Sequence, residues 1–146
     1  MASKTSLMIV LLGAVLAAPA GAQTNAVPTG TWQTEKGDAH VKISKCGSML
    51  CGSVVSLRDK IDPRTGRAPI DDKNPDPAKA NRSMIGVQLF GDMRATGQLR
   101  WSGHIYNSDD GGTYSSNLTL LSADRLKVEG CVGALCGGEV WIRVGR

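Results

Sequence analysis

Between Gly30 and Val144 the sequence repeats one pattern. A short run alternates apolar and polar residues, then breaks at glycine, asparagine, aspartate or proline, and a new run begins. Val41 and Ile43 alternate with His40, Lys42 and Ser44. Leu126 and Val128 alternate with Arg125, Lys127 and Glu129, and Val140, Ile142 and Val144 alternate with Glu139, Trp141 and Arg143. A period of two places one set of side chains on each face of a strand, so these runs read as half-buried β-strands. The segments 30–35, 39–45, 52–58, 85–89, 98–106, 113–121, 125–131 and 138–144 give about eight strands, mostly with short turns between them. No long helical periodicity interrupts them. The expected fold is all-β, an antiparallel meander of about eight strands closed into a calycin-like barrel, whose interior is filled by side chains or holds one small ligand.

The centre of this pattern is Trp101 to Tyr114. Trp101, Ile105 and Tyr106 open a strand, Asn107 to Gly112 supply turn chemistry, and Thr113 begins the return. This is a β-hairpin with a glycine-bearing loop. Asp109 and Asp110 read first as turn formers, although two neighbouring carboxylates also have the composition of an acid–base pair. Tyr106 and Tyr114 flank the turn. They pack across the hairpin or line a barrel mouth, where an aromatic body with a polar tip suits a ligand. Trp101, Tyr106, Asn107 and Tyr114 are accordingly the expected ligand-binding residues. His40 falls on a polar strand face, and His104 is a lone histidine in the strand before the turn.

Four cysteines form two identical spacings, Cys46 to Cys51 and Cys131 to Cys136, each flanked by strand-like runs. A tight hairpin brings such residues face to face at a separation suited to a disulfide. The favoured pairing is 46–51 with 131–136. The competing reading is a four-thiolate zinc site, against which stand an exported context and the absence of a histidine near either pair. Rings this small remove about 2 kcal/mol of chain entropy each in the loop-closure account, so their expected role is to pin turn geometry and register.

The export context comes from the first residues. Lys4 precedes an apolar run from Leu7 to Leu16, and Ala20-Gly21-Ala22 has the small-x-small pattern of a cleavage site. Residues 1–22 are expected to be a cleaved signal peptide, because the run is too short to span a bilayer. No cysteine follows to take a lipid, and no later stretch is apolar enough to span. Residues 23–146 then form one domain with a periplasmic or secreted location. Lys4 is the only charge removed, so the net charge falls from +4 to +3. The basic residues are scattered, which excludes a nucleic-acid footprint.

One segment departs from the meander. Residues 59–83 contain Pro63, Pro69, Pro75 and Pro77 among mixed charges, a polar loop longer than an ordinary connection. Asn74 followed by Pro75 predicts one short helix over Pro75 to Asn81. Asp72 to Asp76 imitates the start of a calcium loop, but Pro77 and Ser83 stand where such a loop needs glycine and glutamate. No Gly-x-Ser-x-Gly, His-Glu-x-x-His or glycine-rich phosphate loop is present, so no catalytic residue, cofactor or metal is expected.

The ordered set of Gly30-Thr31-Trp32, Asn74-Pro75-Asp76, Met84-Ile85-Gly86-Val87, Trp101 to Tyr106, Asp110-Gly111, Thr113-Tyr114, Leu126 to Gly130 and Trp141-Ile142-Arg143 resembles the DUF2147 family of exported bacterial proteins. The resemblance covers nearly all of 23–146 and implies a small exported β-domain with no assigned catalytic residue. A looser similarity is to lipocalins, in which a Gly-x-Trp strand is covered by an arginine from the last strand. Trp32 and Arg143 occupy those places and are expected to close the barrel. The chain departs from lipocalins in carrying the insertion at 59–83. Two functions follow as expectations. The first is a non-enzymatic binding module for a small apolar or amphipathic ligand or an envelope component. The second is a structural or envelope-stress protein with a filled barrel, acting on a protein partner through its loops.

Overall fold

The computed structural model describes residues 26–146. The expected signal peptide at 1–22 lies outside them. Eight antiparallel strands follow one another around a closed barrel: β1 Gly30–Gln33, β2 Ala39–Cys46, β3 Met49–Leu57, β4 Gln88–Gly97, β5 Arg100–Asn107, β6 Gly112–Ser122, β7 Arg125–Val132 and β8 Leu135–Gly145. Closure is made by β1 on β8, with Trp32 opposite Arg143. No helix among the described residues is long and apolar enough to cross a membrane.

A meander puts alternate turns at opposite ends. One end holds the lead into β1, the turns 47–48, 98–99 and 123–124, and the end of β8. There Trp32, Ile43, Leu118, Leu120, Leu126 and Trp141 are buried in one cluster and plug the barrel. The other end holds the turns before β2, before β6 and before β8, together with the long connection from β3 to β4. Each end carries one disulfide, Cys46–Cys51 at the plugged end and Cys131–Cys136 at the other.

The identical cysteine spacings do not give identical geometry. Cys131 and Cys136 stand directly opposite each other, whereas Cys46 lies opposite Met49 and Cys51 opposite Ser44. The glycines explain the difference. Gly47 and Gly133 have φ of 67° and 57° and each takes the first turn position, a place where a positive φ suits glycine. Gly47 follows Cys46 at once, but Val132 separates Gly133 from Cys131. The turn follows the glycine, so the first disulfide runs diagonally across its hairpin.

Two expectations are corrected. No helix forms over Pro75 to Asn81, which is a chain of turns. Asn74 Oδ1 does accept the Asp76 N–H at 2.9 Å, but Asp76 Oδ1 accepts the Ala78 N–H at 3.0 Å in the same way. These side chain–backbone bonds compete with the helical ladder, and Pro75 and Pro77 remove two donors from a segment too short to repay nucleation. The fourth strand also lies later than expected. Ile85 is exposed, and β4 runs from Gln88 to Gly97 with few paired residues on either side.

The irregularity of β4 has a local cause at Gly52. This residue pairs with Phe90, and a Cβ there would stand 2.3 Å from the ring's Cζ. Phe90 is buried and cannot swing into solvent. We expect Gly52→Ala to destabilise the fold by about 1–3 kcal/mol, the usual cost of overpacking, as read from urea denaturation midpoints. A loss below about 0.5 kcal/mol would show that the ring shifts freely.

Candidate functional site

The end opposite the plug is not filled. A cavity of about 1020 Å³ opens there, its wall formed by Ile105, Tyr106 and Asn107 of β5, Tyr114 of β6, Val128 and Gly130 of β7, and Gly137, Glu139 and Trp141 of β8. Its volume reaches the upper range of small-molecule sites. Gly130 contributes openness, since a Cβ there would meet nothing closer than Tyr114 Cβ at 3.7 Å.

The long connection folds across this mouth as a strap covering residues 58–87. Its fixed point is Asp71, only 1% exposed. Asp71 Oδ1 accepts the Tyr106 hydroxyl at 2.5 Å. Its Oδ2 accepts Asn74 Nδ2 at 2.8 Å and Arg82 Nε at 3.0 Å, and Arg82 Nη2 lies 2.8 Å away. Burial pushes the Asp71 carboxyl up, but the hydrogen bonds from Tyr106, Asn74 and Arg82 and the Arg82 charge outweigh it, and the group lies below its ordinary value. Burial, followed by the bond to Asp71 and that residue's charge, pushes Tyr106 up to about 12. A second contact lies at the β5–β6 turn. The Lys73 carbonyl oxygen of the strap sits 1.9 Å from where a Cβ on Gly111 would stand, so only glycine permits this approach.

The organising hairpin forms as β5 and β6. Asp110 is a turn former: its Oδ1 accepts the Gly112 N–H at 2.7 Å, and its Oδ2 accepts the Tyr114 hydroxyl at 2.7 Å. Asn107 Oδ1 is taken by the Asp109 N–H at 3.0 Å. Both tyrosine hydroxyls are thus engaged, and the rings remain as apolar surface. Tyr106, Asn107 and Tyr114 meet at the cavity. Trp101 does not join them. It is buried in the core cluster and borders a smaller hollow of about 340 Å³ towards the plugged end.

His104 stands outside the barrel. Its Nδ1 lies 2.7 Å from Asp92 Oδ2, while Asp92 Oδ1 accepts the His104 backbone N–H at 2.8 Å. This pair joins β4 to β5 beyond Arg94 and Ser102, where the backbone pairing of the two strands ends. Among the described residues no group of three or more His, Cys, Asp or Glu could hold a metal. All four cysteines are in disulfides.

Sequence reasoning missed Asp71, Glu139 and Trp141. On β8 it named Val140, Ile142 and Val144 as the apolar set, yet Ile142 and Val144 are 44% and 48% exposed. The inward set is Glu139, Trp141 and Arg143. A signal existed, because Arg143 can cover Trp32 only if its own face, shared with Trp141 and Glu139, looks inward. Asp71 had no such signal, since apart from nearby Asn74 its partners lie 11 and 35 residues away.

A family model described as "Uncharacterized protein conserved in bacteria (DUF2147)" matches residues 30–143. Among solved structures, protein HP1028 of the human pathogen Helicobacter pylori, described as belonging to the lipocalin family, superposes with a TM-score of 0.66. It is 24% identical, over 80% of this chain and 82% of that one. No curated protein matches the sequence.

Proposed function

Because the chain belongs to the DUF2147 family, which brings a fold and no activity with it, we propose that its function resides in the cavity: a non-enzymatic binding module, exported to the periplasm or beyond, for a small apolar or amphipathic ligand. The observation that supports this reading is the cavity of about 1020 Å³ bounded by the open half of the barrel, the β1–β2 turn and the strap. A filled barrel acting only through its loops would have no such space. Two disulfides agree with an oxidising compartment. The apolar hairpin tip at Val132 and Leu135, the latter 81% exposed, lies on the rim and extends the apolar wall outwards towards an incoming ligand or an envelope surface.

The test is saturable binding of a neutral fluorophore such as N-phenyl-1-naphthylamine. The wild-type protein is expected to bind one equivalent. Gly130→Leu adds an isobutyl group on the inner wall where a Cβ already fits, so it should fill the cavity without disturbing the fold. We expect at least a tenfold loss of affinity with an unchanged melting temperature. Unaltered binding in this variant would place the fluorophore elsewhere.

A further inference from the structure

The charge on the inner wall defines the ligand further, and this step rests on the binding reading above. Glu139 faces into the barrel on β8 beside Trp141, whose indole Nε1–H donates to Glu139 Oε1 at 2.5 Å. That bond uses one oxygen. Among the described residues no lysine, arginine or histidine nitrogen forms an ion pair with Glu139; the pairs are all made elsewhere. The other oxygen thus has no ion-pair partner, while Val128 stands opposite Glu139, Trp141 lies beside it and Ile105 lines the same cavity. A carboxylate in such surroundings is favoured by a cation that joins it there.

Its depth comes from the register. Glu139 stands opposite Val128, and Val128 opposite Leu118 of the plug. Glu139 therefore sits at the cavity floor. The floor thus offers a carboxylate oxygen able to accept from an ammonium donor. Above it Tyr106, Asn107 and Tyr114 use their polar atoms in internal bonds, and Leu57, Ile105 and the tyrosine rings supply the apolar part of a mixed wall. The rim adds a field of the same sign, since carboxylates such as Asp59, Asp72 and Asp109 outnumber the cations Lys36 and Arg64.

We propose that the cavity selects a cationic amphiphile, a primary alkyl- or arylalkylamine that enters amine-first. The ammonium pairs with Glu139 at the floor. The hydrocarbon body lies against Ile105, Tyr114 and Leu57 below the strap. Aromatic faces at the site also favour a cation over an anion.

The experiment displaces the neutral fluorophore with decylamine, decanol and decanoate, three ligands of one chain length and different charge, at pH 7. Decylamine carries its proton there, as a lysine side chain does. The expected order is decylamine at least tenfold tighter than decanol, with decanoate weakest. In Glu139→Gln, which still offers Trp141 an acceptor, decylamine should fall to the affinity of decanol while decanol is unchanged. Equal affinity of decylamine and decanol in the wild type would overturn the charge assignment and leave the binding reading intact. An amine preference that persists in Glu139→Gln would overturn the role of Glu139. Failure of all three to displace the fluorophore would overturn the cavity as an alkyl-chain site, and failure of the fluorophore itself to bind would remove the binding reading beneath it.

Discussion

Trp32→Ala is expected to cost about 3–5 kcal/mol of folding stability, the range for removing a large buried aromatic side chain. The ring is fully buried at the plugged end, and its Nε1–H donates to the Pro28 carbonyl at 2.8 Å. The guanidinium of Arg143 lies over it, 4.2 Å from the ring centroid. Arg143 also reaches the lead into β1 and the β6–β7 turn, with Nη1 donating to the Thr29 carbonyl and Nε to the Ala123 carbonyl at 2.6 Å. One side chain therefore ties the first strand, the last strand and a third hairpin together. Arg143→Ala is expected to cost about 1–3 kcal/mol. Arg143→Lys should recover only part of it, because an ammonium can neither stack on the indole nor donate in two directions from one plane. Urea denaturation of both single variants and the double variant measures the coupling. Strictly additive losses would mean that the stacked pair contributes nothing beyond its separate packing.

Asp71→Ala is expected to free the strap while the barrel stays folded. The carboxylate accepts bonds from three side chains, and bonds to a charged group contribute about 1.5–3 kcal/mol each before the freed partners find water. Arg82 is partly exposed and can rehydrate, so the expected net loss in strap protection is about 2–4 kcal/mol. Hydrogen exchange should show it as faster exchange over residues 68–84 with little change in β6 and β7. Unchanged exchange over 68–84 would show that Asp71 does not hold the strap. The same group sets an acid response. Its pKa is lowered in the folded protein, so the unfolded chain takes up the proton first as pH falls. The stability it contributes is fully present above the ordinary carboxylate value of about 3.9 and is lost as pH drops through the lower folded value. Strap protection should therefore be level from neutral pH down to that range and decline below it. Asp71→Asn should remove this acid limb, since an amide does not titrate.

Much of the architecture was legible because it is local. Alternation of period two marks strands wherever one face is wet, and all eight appear, with only the fourth displaced. Glycine and asparagine mark turns through their own backbone preferences, and paired cysteines at hairpin spacing find each other without help from the rest of the chain. The closing contact of Trp32 with Arg143 was legible by a different route, since a closed meander must join its first and last strands. Alternation cannot say which face turns inward when both carry apolar residues. On β8 that choice falls to Trp141 and Arg143, because the barrel closes around them and leaves Ile142 and Val144 outside. The candidate site was less legible for the same reason. Glu139 becomes a floor carboxylate only when β8 takes its place beside β7, and Asp71 becomes a buried anchor only when residues far along the chain fold onto it. Strand identity is a property of neighbours in sequence. The open cavity, its inner charge and its strap are properties of neighbours in space, and closure of the barrel and docking of the strap create them.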